Sequence, residues 1–181
     1  MDTLIPKKTG KPITLFCESA IGPVKIVLLE GLPTQLSPVE PLTPRLSQLI
    51  AESQRKFPLL YAQLYKTLVE GEIFGQQLRI EGISSFYKRV LERVKTIPKG
   101  TIKTYSELAK EVGSPRAVRA VGSALAKNPL PLLIPCHRVV KKNGCIGSFS
   151  MGGRVVKEKL LEKEGFVISK NHKIMLARQD I

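Results

Sequence analysis

The chain has few of the residues that build covalent or metal frameworks. Its 181 residues include three cysteines and two histidines: Cys17, Cys136, Cys145, His137 and His172. An odd number of cysteines in a chain without an export signal argues against a disulfide framework and favours reduced thiols. With no CxxC pair and no HxxxH spacing, a zinc site would have to be assembled from scattered ligands. We therefore expect neither disulfides nor a metal.

Long hydrophobic runs are also missing. The longest apolar runs, such as ITLF, IVLL and LPLLIP, are far shorter than the roughly 18 residues that span a bilayer, and no signal-peptide pattern opens the chain. A composition of 43% hydrophobic and 24% charged residues is typical of a globular protein with its own core. We expect no membrane association and a cytoplasmic location, or a nuclear one in a eukaryote.

Acidic residues are scarce in the second half of the chain. Residues 1–83 carry nine Lys and Arg against eight Asp and Glu, whereas residues 84–181 carry 20 against 7. Clustered cations displace condensed counterions from phosphates, which makes nucleic acid the first candidate partner. The alternative is that the lysines serve solubility, and charge alone does not separate the two.

The first half has the pattern of a small α/β domain. KPITLFCESA and GPVKIVLLE predict two strands joined near Gly22, helical periodicity follows in RLSQLIAESQRKF and LLYAQLYKTLVEG, and EIFGQQLRIEG predicts a final strand. No cluster of reactive side chains occurs here. We predict an α/β scaffold domain with a small, mostly antiparallel sheet over residues 1–82, a mainly α domain over 83–168 and a tail over 169–181.

Two short helices in the second domain form a helix-turn-helix pattern. TYSELAKEVG has a capping box made by Thr104 and Glu107. SPRAVRAVGSALAKNP begins with Ser114 as the predicted N-cap and Pro115 at the first helical position. The single tight turn between them completes the motif.

The second helix of this pair has a small, basic outer face. At 100° per residue, Val118, Val121 and Leu125 fall on one side. The opposite side carries Arg116, Arg119, Ala120, Ser123 and Lys127. Small side chains let a helix approach a duplex closely, while arginines meet phosphates or enter the base stack. DNA binding is one interpretation, and a solvated face of an ordinary amphipathic helix is the other.

The stretch PLPLLIPCHRVV sets Cys136 between a proline and a histidine. The thiolate is the nucleophile, and a free thiol with a pKa of about 8.5 is mostly protonated at neutral pH. His137 is the candidate base, and such a histidine needs a carboxylate to fix its tautomer. Helical periodicity turns Glu164 of the last helix towards the interior, with Lys157 on the same flank, and a buried carboxylate requires a partner. The alternative is that Glu164 stays solvated at the helix end.

Five stretches occur together in the order of one family. TYSELA, RAVRAVGSALAKNP, PCHRVV, GSFSMGG and EKEG, spanning roughly residues 84–166, resemble the O6-alkylguanine-DNA alkyltransferases, the methylated-DNA–protein-cysteine methyltransferases. The resemblance implies direct-reversal DNA repair in which the protein takes the alkyl group from O6-alkylguanine, and from O4-alkylthymine, once and irreversibly. It also implies a monomer that binds double-stranded DNA through the minor groove and needs no cofactor.

The resemblance assigns catalytic roles position by position. Cys136 looks like the alkyl acceptor, and His137 resembles the base that acts on it through a water. Glu164 resembles the carboxylate behind the histidine. Asn128 resembles the asparagine that braces the recognition helix against the active-site loop.

The resemblance also assigns contacts to DNA. Tyr105 resembles the tyrosine that rotates the target phosphate and donates a hydrogen bond to the flipped base, and Arg119 resembles the arginine that fills the vacated place in the stack. The other positions implied to contact DNA or the base are Ala120, Ser123, Arg138, Val139 and Ser150. Phe149 departs from the family, because many members have tyrosine at this place.

Three other functions compete with this interpretation. A lesion binder resembling the alkyltransferase-like proteins would lack the acceptor cysteine, and Cys136 is present. A transcription regulator would leave the cysteine, the histidine and the inward glutamate unexplained. A thiol hydrolase would leave the positive charge and the recognition helix without a purpose.

Overall fold

The computed structural model describes residues 10–40 and 43–177. Backbone contacts divide the chain into two units, Met1–Gly82 and Ile83–Ile181. Within the described ranges, no helix has both the length and the apolar character needed to cross a membrane.

The first unit is built on a three-stranded antiparallel sheet in which each strand pairs with the next along the chain. The two predicted strands are β1 (Ile13–Cys17) and β2 (Val24–Leu29). A third, β3 (Leu32–Pro38), lies in a proline-rich segment for which no strand was predicted. Alternate residues of β2 are buried, as expected for a sheet with one face on the core. The predicted small antiparallel sheet is confirmed.

Helices cover one edge of this sheet. They are α1 (Pro44–Lys56) and α2 (Pro58–Tyr65), which continues as one turn of π-helix over Lys66–Glu70. The Ser53 hydroxyl of α1 accepts a hydrogen bond from the Phe16 N–H of β1 at 3.0 Å. Because α1 satisfies this backbone group, part of the outer edge of β1 is closed to further pairing.

The predicted final strand over residues 72–82 is wrong. This segment has no regular secondary structure, although Phe74 is buried and the Arg79 N–H donates to the Pro33 carbonyl at 3.0 Å. Pro33 and Pro38 of β3 have no N–H to offer a neighbouring strand. The sheet therefore cannot extend across β3 with a regular ladder.

Helices dominate the second unit, as predicted. They are α3 (Ser85–Lys95), α4 (Tyr105–Glu111), α5 (Val118–Ala126) and α6 (Gly153–Lys163). The apolar side of α3 packs against α4 and α5. The capping box of α4 is present, with the side chain of each partner bonded to the backbone N–H of the other.

The second helix of the predicted helix-turn-helix, α5, begins later than predicted. Its N-cap is Ala117 rather than Ser114. Ser114, Pro115 and Arg116 lie in a separate turn, closed by the Ala117 N–H donating to the Ser114 carbonyl at 2.9 Å. This turn uses the backbone groups that a longer helix would have needed, so the Pro115 start is also wrong.

A short parallel strand pair positions the candidate thiol. β4 (Lys103–Thr104) pairs with β5 (Val139–Val140). β5 directly follows a single 3-10 turn, Cys136–Arg138, and β4 leads directly into α4 at Tyr105. The pairing therefore brings the thiol and the tyrosine together although they are far apart in sequence.

The described chain ends in an antiparallel hairpin. β6 (Phe166–Ile168) pairs with β7 (Ile174–Ala177), and Cys145 forms a backbone bridge to the turn of this hairpin. The segment 169–181, expected to be a tail, thus contains a strand. Residues 178–181 lie outside the described residues.

Replacing Thr104 with alanine tests the capping box. Thr104→Ala should lower the free energy of unfolding by about 1 kcal/mol, because the Glu107 N–H loses the hydroxyl that caps α4. Urea denaturation followed by circular dichroism measures this change. The control is Thr101→Ala, at an exposed threonine outside any helix, which should stay within about 0.5 kcal/mol of the wild type. Equal losses in the two variants would contradict the capping role.

Candidate functional site

The thiol of Cys136 lines a pocket of about 250 Å³ in the second unit. The residue lies on the 3-10 turn and is 4% exposed. The pocket wall consists of Tyr105, Gly122, Leu125, Ala126, Cys136, Ser148, Phe149 and Ser150. Burial raises the pKa of the Cys136 thiol, because a buried anion loses its hydration. The resting sulfur is therefore protonated, and a reaction at this atom requires a base.

Asn128 holds the thiol from the end of α5. Its Nδ2 donates to Cys136 Sγ at 3.2 Å and to the Ile134 carbonyl at 3.0 Å. Its Oδ1 accepts from the Leu130 N–H at 3.0 Å. One amide thus joins the end of α5 to three points of the loop that leads to the sulfur. Its hydrogen bond to the sulfur opposes the effect of burial on the thiol pKa.

His137 and Glu164 form the predicted pair. His137 Nε2 lies 2.8 Å from Glu164 Oε1, and both side chains are buried. An ionised carboxylate can only accept, so Nε2 carries the proton and Nδ1 has its lone pair available. Burial lowers the pKa of His137 in spite of the carboxylate, which keeps the ring neutral. Nδ1 is buried and has no hydrogen-bond partner among the described residues.

Arg138 binds the same carboxylate. Its Nε donates to both oxygens of Glu164 at 3.0 Å, its Nη2 donates to Oε1 at 2.8 Å, and its Nη1 donates to the Ile97 carbonyl at 2.7 Å. Arg138 is 2% exposed. The expectation that this arginine contacts DNA is wrong, because its guanidinium points into the protein and is satisfied there.

Tyr105 lies between α5 and the loop that follows the thiol. A Cβ atom added to Gly147 would lie 3.2 Å from the Tyr105 hydroxyl oxygen, and one added to Gly122 would lie 3.9 Å from its ring. Gly147 therefore makes room for this side chain, whereas a Cβ atom at Gly122 would be in ordinary contact with it. Burial, and then the proximity of Cys136, raise the pKa of Tyr105, so the phenol keeps its proton and remains a hydrogen-bond donor.

The other predicted contact residues lie on the outer side of α5, in the pocket and in the core. Arg119 and Ser123 are exposed on the outer side of α5, with Ala120 half-buried between them. Ser150 lines the pocket together with the thiol. Val139 is fully buried and does not line the pocket, and its carbonyl accepts from Lys157 Nζ at 2.5 Å.

Several pocket residues were not predicted. Gly122 and Ala126 of α5 line the pocket, and they could have been found as a small-residue pair four positions apart on one helix face. Ser148 carries no periodic signal, because its loop has no regular structure. Phe149 also lines the pocket, where the resemblance expects an aromatic ring, and it stands edge-on to His137, at 6.1 Å between centroids and 80° between planes.

The ionised state of Glu164 makes the free energy of unfolding depend on pH. Burial alone would raise the pKa of Glu164, but hydrogen bonds from His137 and Arg138 outweigh it and lower the pKa to about 2. A depressed pKa adds stability above the unfolded-state value of about 4.3, and this contribution is lost as pH falls towards 2. Urea denaturation at pH 7, 4 and 3 should show that Glu164→Gln loses less stability on acidification than the wild type. The exposed Glu162→Gln should follow the wild type, and identical acid slopes for all three proteins would contradict the pairing.

Comparison with known proteins gives consistent matches. Residues 85–166 match the family model of the 6-O-methylguanine DNA methyltransferase DNA-binding domain. Over 82 residues the chain is 49% identical to the rat methylated-DNA–protein-cysteine methyltransferase, a match that covers 45% of this chain and 39% of the rat protein. The match thus spans about two fifths of that relative.

Solved structures extend the likeness to most of the chain. The Mycobacterium tuberculosis OGT, solved in complex with DNA, is 31% identical, with a TM-score of 0.62 over 83% of this chain and 91% of that one. The O6-methylguanine-DNA methyltransferase of Pyrococcus kodakaraensis is 26% identical, with a TM-score of 0.61 over 86% of this chain and 99% of that one. The shared motif order, the site geometry and this coverage lead to one conclusion: the chain belongs to the O6-methylguanine-DNA methyltransferase family.

Proposed function

We propose that this chain is a methylated-DNA–protein-cysteine methyltransferase, which repairs DNA by transferring the alkyl group of O6-alkylguanine to its own Cys136. One observation carries the proposal: a buried thiol faces a pocket, with a neutral histidine beside it whose tautomer is fixed by a carboxylate. O4-alkylthymine presents the same kind of alkylated oxygen and is a second proposed substrate.

The pocket is of a size to receive a base that has left the stack. An apolar cavity of about 150 Å³ can hold benzene, so a pocket of about 250 Å³ has room for a larger planar ring. A thiol cannot reach guanine O6 inside a duplex, and rotating the nucleotide out costs a few kcal/mol. The Tyr105 hydroxyl, protonated at neutral pH, is placed to donate to the base inside the pocket.

The proposed reaction balances without a cofactor. The Cys136 proton passes to His137 Nδ1, directly or through a water, and Glu164 stabilises the imidazolium that forms. The sulfur attacks the alkyl carbon, so that an S–C bond forms while the C–O6 bond breaks and its electrons go to the guanine. The guanine takes up, through water, the proton that His137 received, so that both the guanine and the neutral histidine are restored. The thioether is stable, and each molecule reacts once.

Double-stranded DNA is the proposed partner. Arg119 and Ser123 are exposed on the outer side of α5, and the half-buried Ala120 between them leaves room for a close approach. The solved complex of the Mycobacterium tuberculosis relative with DNA supports this partner. We propose that the protein binds the minor groove as a monomer with Arg119 in the vacated place of the stack. It would act where the genome is, in the cytoplasm of a prokaryote or the nucleus of a eukaryote.

Transfer to the protein is tested by mass spectrometry. Incubation with a duplex that contains O6-methylguanine should add one methyl group per protein, on the peptide that carries Cys136. Cys136→Ser should abolish transfer while retaining DNA binding, and Cys145→Ser should leave transfer unchanged. An unmodified Cys136, or a methyl group on Cys145, would refute the proposal.

Arg119→Ala tests the stack-filling role. Transfer from duplex DNA should slow about tenfold, equivalent to about 1.4 kcal/mol, while transfer from a single strand should change much less, because a single strand has no stack to refill. Arg116→Ala removes the same charge at an exposed position in the turn before α5 and should slow transfer from both substrates alike. If Arg119→Ala slowed transfer from the duplex and from the single strand equally, the insertion of Arg119 into the base stack would be refuted.

A further inference from the structure

Lys157 of α6 is a buried cation to which the proposed reaction gives no role. It is 1% exposed, and its Nζ donates to the Val139 carbonyl at 2.5 Å. Burial lowers its pKa to about 8. Burying an ammonium is costly unless an opposite charge compensates it. The position of Lys157 therefore calls for an anion.

No carboxylate supplies that anion among residues 10–40 and 43–177. The Glu164 carboxylate is already paired with His137 and Arg138. Glu158, the next residue on α6, pairs with a different histidine on the terminal hairpin. Lys157 forms no ion pair with either of them, and its hydrogen bond goes to an uncharged carbonyl.

Cys136 is the group that can become negative beside Lys157. The carbonyl that Lys157 binds belongs to Val139, the residue that ends the 3-10 turn carrying the thiol. The two groups act on each other, because Lys157 lowers the pKa of Cys136 and Cys136 raises that of Lys157.

The remaining titratable groups around the thiol cannot replace Lys157. Tyr105 faces the sulfur from α4 and is neutral. On the same turn, His137 is neutral at rest and Arg138 is neutralised by Glu164. Lys157 is thus the one cation of this group whose charge is not matched within the described residues.

We propose that Lys157 is a positioning residue whose ammonium is the counter-ion of the Cys136 thiolate during attack. When Cys136 gives its proton to His137, the sulfur becomes an anion beside an existing cation, not an isolated buried charge. When the sulfur becomes a thioether, the pairing ends. The attack step rests on the proposed function, whereas the pairing itself does not.

The first experiment measures the thiol without DNA. The rate at which iodoacetamide modifies Cys136, followed by mass spectrometry from pH 6 to 10, gives the apparent pKa of the thiol. Lys157→Met removes charge and hydrogen bond, whereas Lys157→Gln removes the charge and keeps a donor. Both should raise the thiol pKa by about one unit, so that the rate at pH 7.5 falls about tenfold and recovers at high pH. The exposed Lys159→Met should titrate like the wild type.

Two results would overturn the proposal. One is a Lys157→Gln protein that titrates like the wild type, which would leave Lys157 only its hydrogen bond to Val139. The other is a loss of reactivity that is the same at every pH, which a merely structural role would produce.

A second measurement does not depend on whether the Lys157 variants fold. NMR of lysine labelled at Cε gives the titration midpoint of Lys157 in Cys136→Asp and in the matched Cys136→Asn. The midpoint should be higher in the aspartate protein, because its carboxylate places at residue 136 the negative charge that the thiolate carries during attack, and equal midpoints would overturn the pairing. The DNA assay tests the proposed function separately. If methyl transfer fails while these titrations give the expected results, the proposed function is refuted and the pairing of Lys157 with Cys136 stands.

Discussion

The Glu164 carboxylate is the anchor of the site. It accepts hydrogen bonds from His137, from Arg138 and from the Gly100 N–H, groups that come from two separate loops. A buried carboxylate is stable only when it is paired and hydrogen-bonded, and the arginine pairs it while one oxygen still orients the histidine. The turn that carries Cys136 is therefore held by an ion pair in which the sulfur takes no part. The sulfur can change chemically while its framework stays in place.

Burial sets the resting state of the reactive groups. It raises the pKa of Cys136 and of Tyr105 and lowers that of His137, so all three are neutral at rest. A neutral thiol is a weak nucleophile. The burial that shapes the pocket therefore also makes the sulfur react more slowly with electrophiles from solution. By our proposals, deprotonation then depends on the histidine whose tautomer Glu164 fixes and on the charge of Lys157.

Prediction from the sequence succeeded for elements that are determined by hydrogen bonds between residues close together in the chain. The capping box of α4 and the strands β1 and β2 follow from neighbours along the chain, and all are present. Other elements depend on partners that are distant in sequence or on competing turns, and for these the sequence pattern misleads. It does not predict β3, it predicts a strand over residues 72–82 that is absent, and it places the first residue of α5 at Pro115. A strand exists only if another strand offers matching N–H and carbonyl groups, and prolines in β3 removed donors that the expected strand required.

The sequence alone indicates a thiol between a proline and a histidine, and it favours an inward carboxylate at Glu164, because helical periodicity predicts the side of α6 on which that residue lies. The direction of Arg138 and the identity of the pocket residues depend on tertiary contacts. A residue in a single turn or a loop has no period that reveals its direction. Arg138 therefore looked like a DNA contact beside the thiol, and it points inward because its partners, Glu164 and the Ile97 carbonyl, arrive from distant parts of the chain.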